Sequence, residues 1–204
     1  MHAYIPTSDQ IRNTLIRLGR TKIKYIAKYV NQVPGNLVSK VMATLLKLAF
    51  QYAMRNCLFL PRRKSLKFFK ENFVFLDPNN LKKEYYYQGK ILIRTLRPND
   101  NVNVLIQFCP KPESIYKTFG MLNIDSIIQC DDMTEKEADS IMDNPEKVDL
   151  VIFFKDTKSI LELAEEDEID MGALLFENLV QFKGNLGQLF KFGGVAKNLQ
   201  TEIL

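Results

Sequence analysis

The chain has 204 residues, 46% of them apolar and 25% charged, a balance that excludes a disordered chain and fits one ordinary domain or two small ones. Its net charge of +4 conceals a polarity: residues 1–76 hold 14 Lys+Arg against 2 Asp+Glu, residues 77–130 hold 7 against 5, and residues 131–204 hold 7 against 17, so the chain runs from +12 through +2 to −10. Three well-separated cysteines (Cys57, Cys109, Cys130) and a lone histidine, His2, exclude a disulfide framework, a zinc cluster of closely spaced ligands and a histidine-based catalytic triad.

Helical spacing begins near the N-terminus. Ser8 can cap a helix carrying Ile11, Leu15, Ile16 and Leu18, and Gly19 ends it. Thr21 opens a second, with Ile23, Ile26, Ala27 and Val30 on one side. The turn Pro34-Gly35-Asn36 then leads into a helix from about residue 36 to 55. The stretch "CLFLPRRKSLKFFKENFVFL" predicts two short strands, or a strand and a short helix, around the polar turn Pro61-Arg62-Arg63-Lys64. Asp77-Pro78-Asn79-Asn80 reads as a boundary between a basic helical part, residues 1–76, and a mixed α/β part, residues 81–204.

In the second part, "YYYQGKILIRTL" and "VNVLIQFC" predict a hairpin around the turn at residues 98–101. "PESIYKTFGML" predicts a helix and "IDSIIQC" a short strand. "MTEKEADSIMDN" predicts a helix with Thr134 and Glu137 at capping-box spacing. "VDLVIFF" is the continuous apolar run of a strand covered on both faces. "TKSILELAEEDE" and "MGALLFENLVQF" predict helices, and the tail bearing Gly184, Gly187, Gly193 and Gly194 predicts loose short helices or a docking arm. Strands interleaved with helices imply an α+β or α/β fold with acidic C-terminal helices. The first apolar run is broken by Asp9 and Arg12, and Lys40 and Lys47 interrupt the longest one, residues 37–54. A secretory signal and a membrane span are therefore not expected, and the expectation is an intracellular protein of cytoplasm or nucleus.

The segment "VPGNLVSKVMATLLKL" resembles the turn and third helix of winged helix-turn-helix domains, where a small apolar residue and a turn precede Val-Ser-Lys-Val. "YIAKYV" is similar to the second helix of that motif, with Ala27 at the helix crossing, and "CLFLPRRKSLKFF" would supply a wing. The resemblance covers residues 8–76 and implies a winged-helix-like DNA-binding part. Helical spacing also sets Leu37, Val41, Leu45, Leu48 and Tyr52 on one face and Asn36, Lys40, Thr44, Lys47 and Gln51 on another. The second stripe carries groups that contact phosphates and base edges. Leu46 and Phe50 flank it, so the same helix also has the pattern of a buried spine with solvated lysines. Both readings stand.

The function expected is non-enzymatic nucleic-acid binding, DNA or RNA. Arg20, Lys22, Lys24, Lys40, Lys47, Arg62, Arg63, Lys64 and Lys67 would neutralise phosphates, and Asn36, Ser39 and Thr44 would reach bases. Phe68 and Phe69 would stack on unpaired bases or, more simply, join the core. The acidic block Glu165, Glu166, Asp167, Glu168 and Asp170 suits a basic partner, including the basic half of another copy, which would give a ring or filament. It lacks the spacing of a calcium loop, and no P-loop or GxGxxG is present, so neither metal nor cofactor is expected. Two alternatives remain. One is a structural or assembly protein, viral matrix- or capsid-like or a complex subunit, which would lie on genome or, less favoured, on membrane. The other is a metal-dependent nuclease built on Glu113, Asp125, Asp149 and Lys155, for which polar ends of a buried strand are the plainer account.

Overall fold

A computed structural model describes residues 35–54, 62–97, 100–116, 122–160 and 171–203, and elements are labelled from the first of these. Helices α1 (Gly35–Met54) and α2 (Arg62–Phe73) precede strands β1 (Val74–Asp77), β2 (Asn80–Tyr86), β3 (Lys90–Thr95), β4 (Asn103–Phe108) and β5 (Ile128–Asp132). Helix α3 (Glu135–Ile141), strand β6 (Leu150–Phe154), helix α4 (Met171–Phe176), strand β7 (Val180–Gly184) and helix α5 (Leu186–Ile203) complete the order.

β3 to β7 form one mixed sheet in the order β5-β4-β3-β6-β7, and β1 and β2 form a separate antiparallel ribbon. β3 runs parallel to β6, from Ile91↔Leu150 to Thr95↔Phe154, and the other pairings are antiparallel. Alternation sends Ile91, Ile93, Ile106, Ile128, Leu150 and Ile152 to one face, where α1, α2 and α5 cover them with Val38, Met42, Phe50, Phe69, Phe73, Leu189 and Val195. Leu92, Leu105 and Val151 point to the other face, against Ala138 and Ile141 of α3 and Val148. The fold is thus α+β, with helices on both faces, and β6, Leu150–Phe154, is apolar throughout because both of its faces are covered. The capping box holds as expected: Glu137 N–H donates to the Thr134 hydroxyl (3.3 Å), and Thr134 N–H donates to the Glu137 carboxylate (2.8 Å). Among the described residues no helix is long and apolar enough to cross a membrane.

Several expectations are corrected. The Asp77–Asn80 stretch is the turn of the β1–β2 ribbon rather than a boundary, and α1 and α2 share one core with the sheet. Residues 62–73 are one helix, so they form no wing; the segment has no β-branched residue, and Leu66, Phe69 and Phe73 recur at helical spacing. Residues 112–116 hold only a 3-10 turn at Pro112–Ser114 and a bridge from Tyr116 to Leu122. Ile124–Ile127 is a helical turn, with the strand beginning at Ile128.

The helix expected over residues 171–182 stops at Phe176. Asn178 takes a left-handed φ of 55°, Leu179 N–H donates to Leu174 O, and Asn178 N–H donates to Leu175 O. This is a Schellman stop, and it frees Val180–Gly184 to form an edge strand. Of the glycine-bearing tail, Gly184 ends β7, and Leu186–Ile203, with the other three glycines, is a continuous 18-residue helix. Its apolar stripe, Leu189, Phe192, Val195 and Leu199, is buried, which offsets a glycine penalty of about 1 kcal/mol each.

Candidate nucleic-acid interface

On α2 the side chains divide sharply. Phe68, Phe69, Asn72 and Phe73 are buried, and Phe69 stacks on Tyr86 at 6.1 Å. Asn72 donates to Phe68 O and accepts from Asn198 of α5, each at 2.8 Å. Phe68 and Phe69 therefore belong to the core. Lys67 and Lys70 are exposed on the opposite side. Lys67 pairs with Glu71 at 3.7 Å and Lys70 with Glu84 at 3.6 Å. Exposed pairs of this length are worth about 0–1 kcal/mol, so either ammonium can exchange its partner for a phosphate. Arg20, Lys22 and Lys24, the side chains of Asn36, Arg62, Arg63 and Lys64, and the acidic residues 165, 166, 167, 168 and 170 lie outside the described residues.

α1 behaves mainly as a spine. Val38, Ser39, Met42, Ala43 and Phe50 are buried, with Val41, Leu45, Leu46 and Ala49 partly so, an arc rotated from the predicted stripe. Ser39, expected at a base edge, is 6% exposed and fully engaged inside the fold. Its hydroxyl donates to Asn101 O at 2.8 Å and accepts from Asn103 N–H at 2.6 Å, tying α1 to the β3–β4 hairpin. Thr44 donates back to Lys40 O at 2.8 Å. Lys47 pairs with Asp125 at 3.0 Å and Lys40 is exposed.

One surface was not foreseen. Phe75 of β1 and Tyr85 of β2 are directly opposite each other and about half exposed, at 48% and 45%. Lys83 Nζ lies 4.9 Å from the Tyr85 ring centroid, and Lys191 Nζ of α5 lies 5.1 Å from that of Phe75 and 5.6 Å from that of Tyr87. Burial lowers the Lys191 pKa. Phe75 meets Tyr87 edge-on at 6.5 Å, and the Tyr87 hydroxyl is hydrogen-bonded to Gln188. The signal was in "VFLDPNNLKKEYYY": aromatic runs flanking Pro-Asn-Asn are a hairpin pattern.

Other polar groups are structural. The Asp149 carboxylate accepts from Lys90 N–H at 2.7 Å, fixing the starts of β3 and β6. At the other strand ends Asp100 is hydrogen-bonded to Thr157, and Arg97 pairs with Asp156 at 3.2 Å. The Ser159 N–H holds the Asp156 carboxyl below its ordinary pKa, helped by the Ser159 hydroxyl and Arg97. Burial pushes the Cys109 and Cys130 thiols up to about 12, so neither supplies a thiolate at neutral pH. Among the described residues no group of His, Cys, Asp and Glu is arranged to hold a metal ion. The chain matches no family model, and neither the curated proteins nor the solved structures gave a match.

Proposed function

We propose that the chain binds nucleic acid without catalysing a reaction. Its basic N-terminal part neutralises phosphates, and its acidic C-terminal part serves assembly or partner binding. The observation that carries this reading is the segregation on α2: its aromatic residues are committed to the core while Lys67 and Lys70 stand outward, within a stretch holding 14 cations against 2 acids. Cations that the core does not use, concentrated in one third of the chain, form an electrostatic footprint for a polyanion. Ser39 is withdrawn from the contact set because its hydroxyl is consumed internally.

The test is an affinity measurement on duplex and single-stranded oligonucleotides at about 50 and 200 mM salt. Binding at low salt that weakens by orders of magnitude at high salt supports the reading. The absence of binding to either at low salt overturns it. The separation of +12 from −10 along the chain favours a second reading, self-association by opposite charge. Sedimentation over the same salt range tests it, and a monomer at every salt concentration removes it.

A further inference from the structure

Strand alternation places Lys83 and Tyr85 on the same face of the ribbon, and the β1–β2 register places Phe75 beside Tyr85. Glu84 and Tyr86 point to the opposite face, where Lys70 and Phe69 of α2 meet them. The ribbon is therefore backed by α2 on one side and presents Phe75 and Tyr85 to solvent on the other. A half-exposed aromatic pair would ordinarily be covered by apolar neighbours. Here an ammonium lies over each ring instead, Lys83 over Tyr85 and Lys191 over Phe75. The nearby carboxylate of Asp77 is engaged by the Tyr85 hydroxyl at 3.2 Å and by Asn79 N–H at 2.9 Å.

Exposed rings that each carry an ammonium over one face suit a chain of aromatic rings joined by anionic links, a base meeting the ring and a phosphate the ammonium. An apolar protein surface would have to desolvate both ammonium groups, whereas a phosphate backbone pairs with them. In a duplex the faces of the bases are hidden within the stack, so only unpaired bases can lie on these rings. We propose that this face of the β1–β2 ribbon is a stacking platform for unpaired bases, and that the protein selects single-stranded over duplex nucleic acid. Phe75 and Tyr85 receive bases, and Lys83 and Lys191 neutralise the flanking phosphates. This proposal rests on the nucleic-acid reading above and names the form of nucleic acid taken.

The test uses the full chain and fluorescently labelled 20-nucleotide probes, an oligothymidylate and a mixed-sequence duplex, read by anisotropy at one salt concentration. The expected result is tighter binding of the single strand, with a loss of about tenfold per ring in Phe75→Ala and Tyr85→Ala and little change for duplex. The chain has no tryptophan, so Tyr85→Trp gives a single-site reporter that keeps the platform. Its emission should be quenched by the oligothymidylate and not by the duplex.

Wild-type binding that Phe75→Ala and Tyr85→Ala leave unchanged, with no quenching in Tyr85→Trp, overturns the platform while leaving nucleic-acid binding intact. Binding of neither probe overturns both. Self-association of the wild type that the two alanine variants abolish overturns the platform in favour of a second copy of the chain on this face.

Discussion

Replacing Ser39 by alanine removes one buried oxygen and leaves two backbone groups, one buried and one partly buried, without their partner. The hydroxyl satisfies Asn101 O at 2.8 Å and Asn103 N–H at 2.6 Å, and Asn103 is itself 2% exposed. The vacated space is about the size of one hydroxyl, too small for a water to restore both bonds. An orphaned buried donor or acceptor costs about 1–3 kcal/mol. Part of the Asn101 carbonyl's loss is recoverable from solvent, because that residue is only partly buried, which leaves an expected destabilisation of about 2–4 kcal/mol. In a chain of this size that corresponds to a fall in Tm of roughly 5–15 °C. Urea unfolding followed by far-UV circular dichroism should show a lower midpoint with an unchanged m-value. Oligonucleotide affinity, measured where the variant is folded, should be that of the wild type. A variant as stable as the wild type to within about 0.5 kcal/mol, but weaker in binding, would refute the argument. It would place the hydroxyl at the ligand, as the sequence alone had suggested.

Further outcomes follow from the core and the strand ends. Phe50→Ala should cost about 3–5 kcal/mol in urea unfolding, since the ring is 1% exposed and packs on Phe73 and Phe108 at 6.4 and 5.7 Å. Asp156 has a folded-state pKa held below the unfolded value, so its contribution is present above the unfolded pKa and is lost as pH falls through the folded one. The stability gap between wild type and Asp156→Asn should therefore be full at pH 7 and close progressively below about pH 4; a gap independent of pH would contradict the assignment. Gly184→Ala should destabilise by about 1–3 kcal/mol, because φ is +120° and an added Cβ would run into the Asp149 carbonyl. Hydrogen exchange should show the β7 amides losing protection first.

What the sequence disclosed was what local chemistry determines. The β3–β4 hairpin was legible from two apolar runs around a turn, α3 from its capping box, and β6 from an unbroken apolar run. The elements that were misread depend on partners distant in the chain. Residues 171–182 carry a leucine-rich helical pattern throughout, yet a left-handed Asn178 divides them because β6 offers an edge for Val180–Gly184. Asp77–Asn80 has the composition of a linker and of a hairpin turn alike, and the ribbon's pairing decides between them.

The same limit applied to the candidate interface. α1 displays Lys40, Thr44 and Lys47 on one stripe, but its most buried arc is set by the sheet, α2 and α5, which the sequence does not position. Ser39 looked available because its partners lie more than 60 positions away. Of the α2 cations named from the sequence, Lys67 is exposed, and the side chains of Arg62, Arg63 and Lys64 lie outside the described residues. The ribbon face went unnoticed because Phe75 and Tyr85 meet only through strand pairing, and Lys191 arrives from a helix more than 100 positions later.

The most direct measurement of the central claim is the slope of log affinity against log salt concentration for the wild type and for the triple variant Arg62→Ala/Arg63→Ala/Lys64→Ala. Each phosphate contact removed should flatten the slope by about 0.7–0.9, so the account predicts a slope smaller by roughly 2–3 with the fold retained. An unchanged slope, or a wild-type affinity insensitive to salt, would contradict binding through the basic residues of α2.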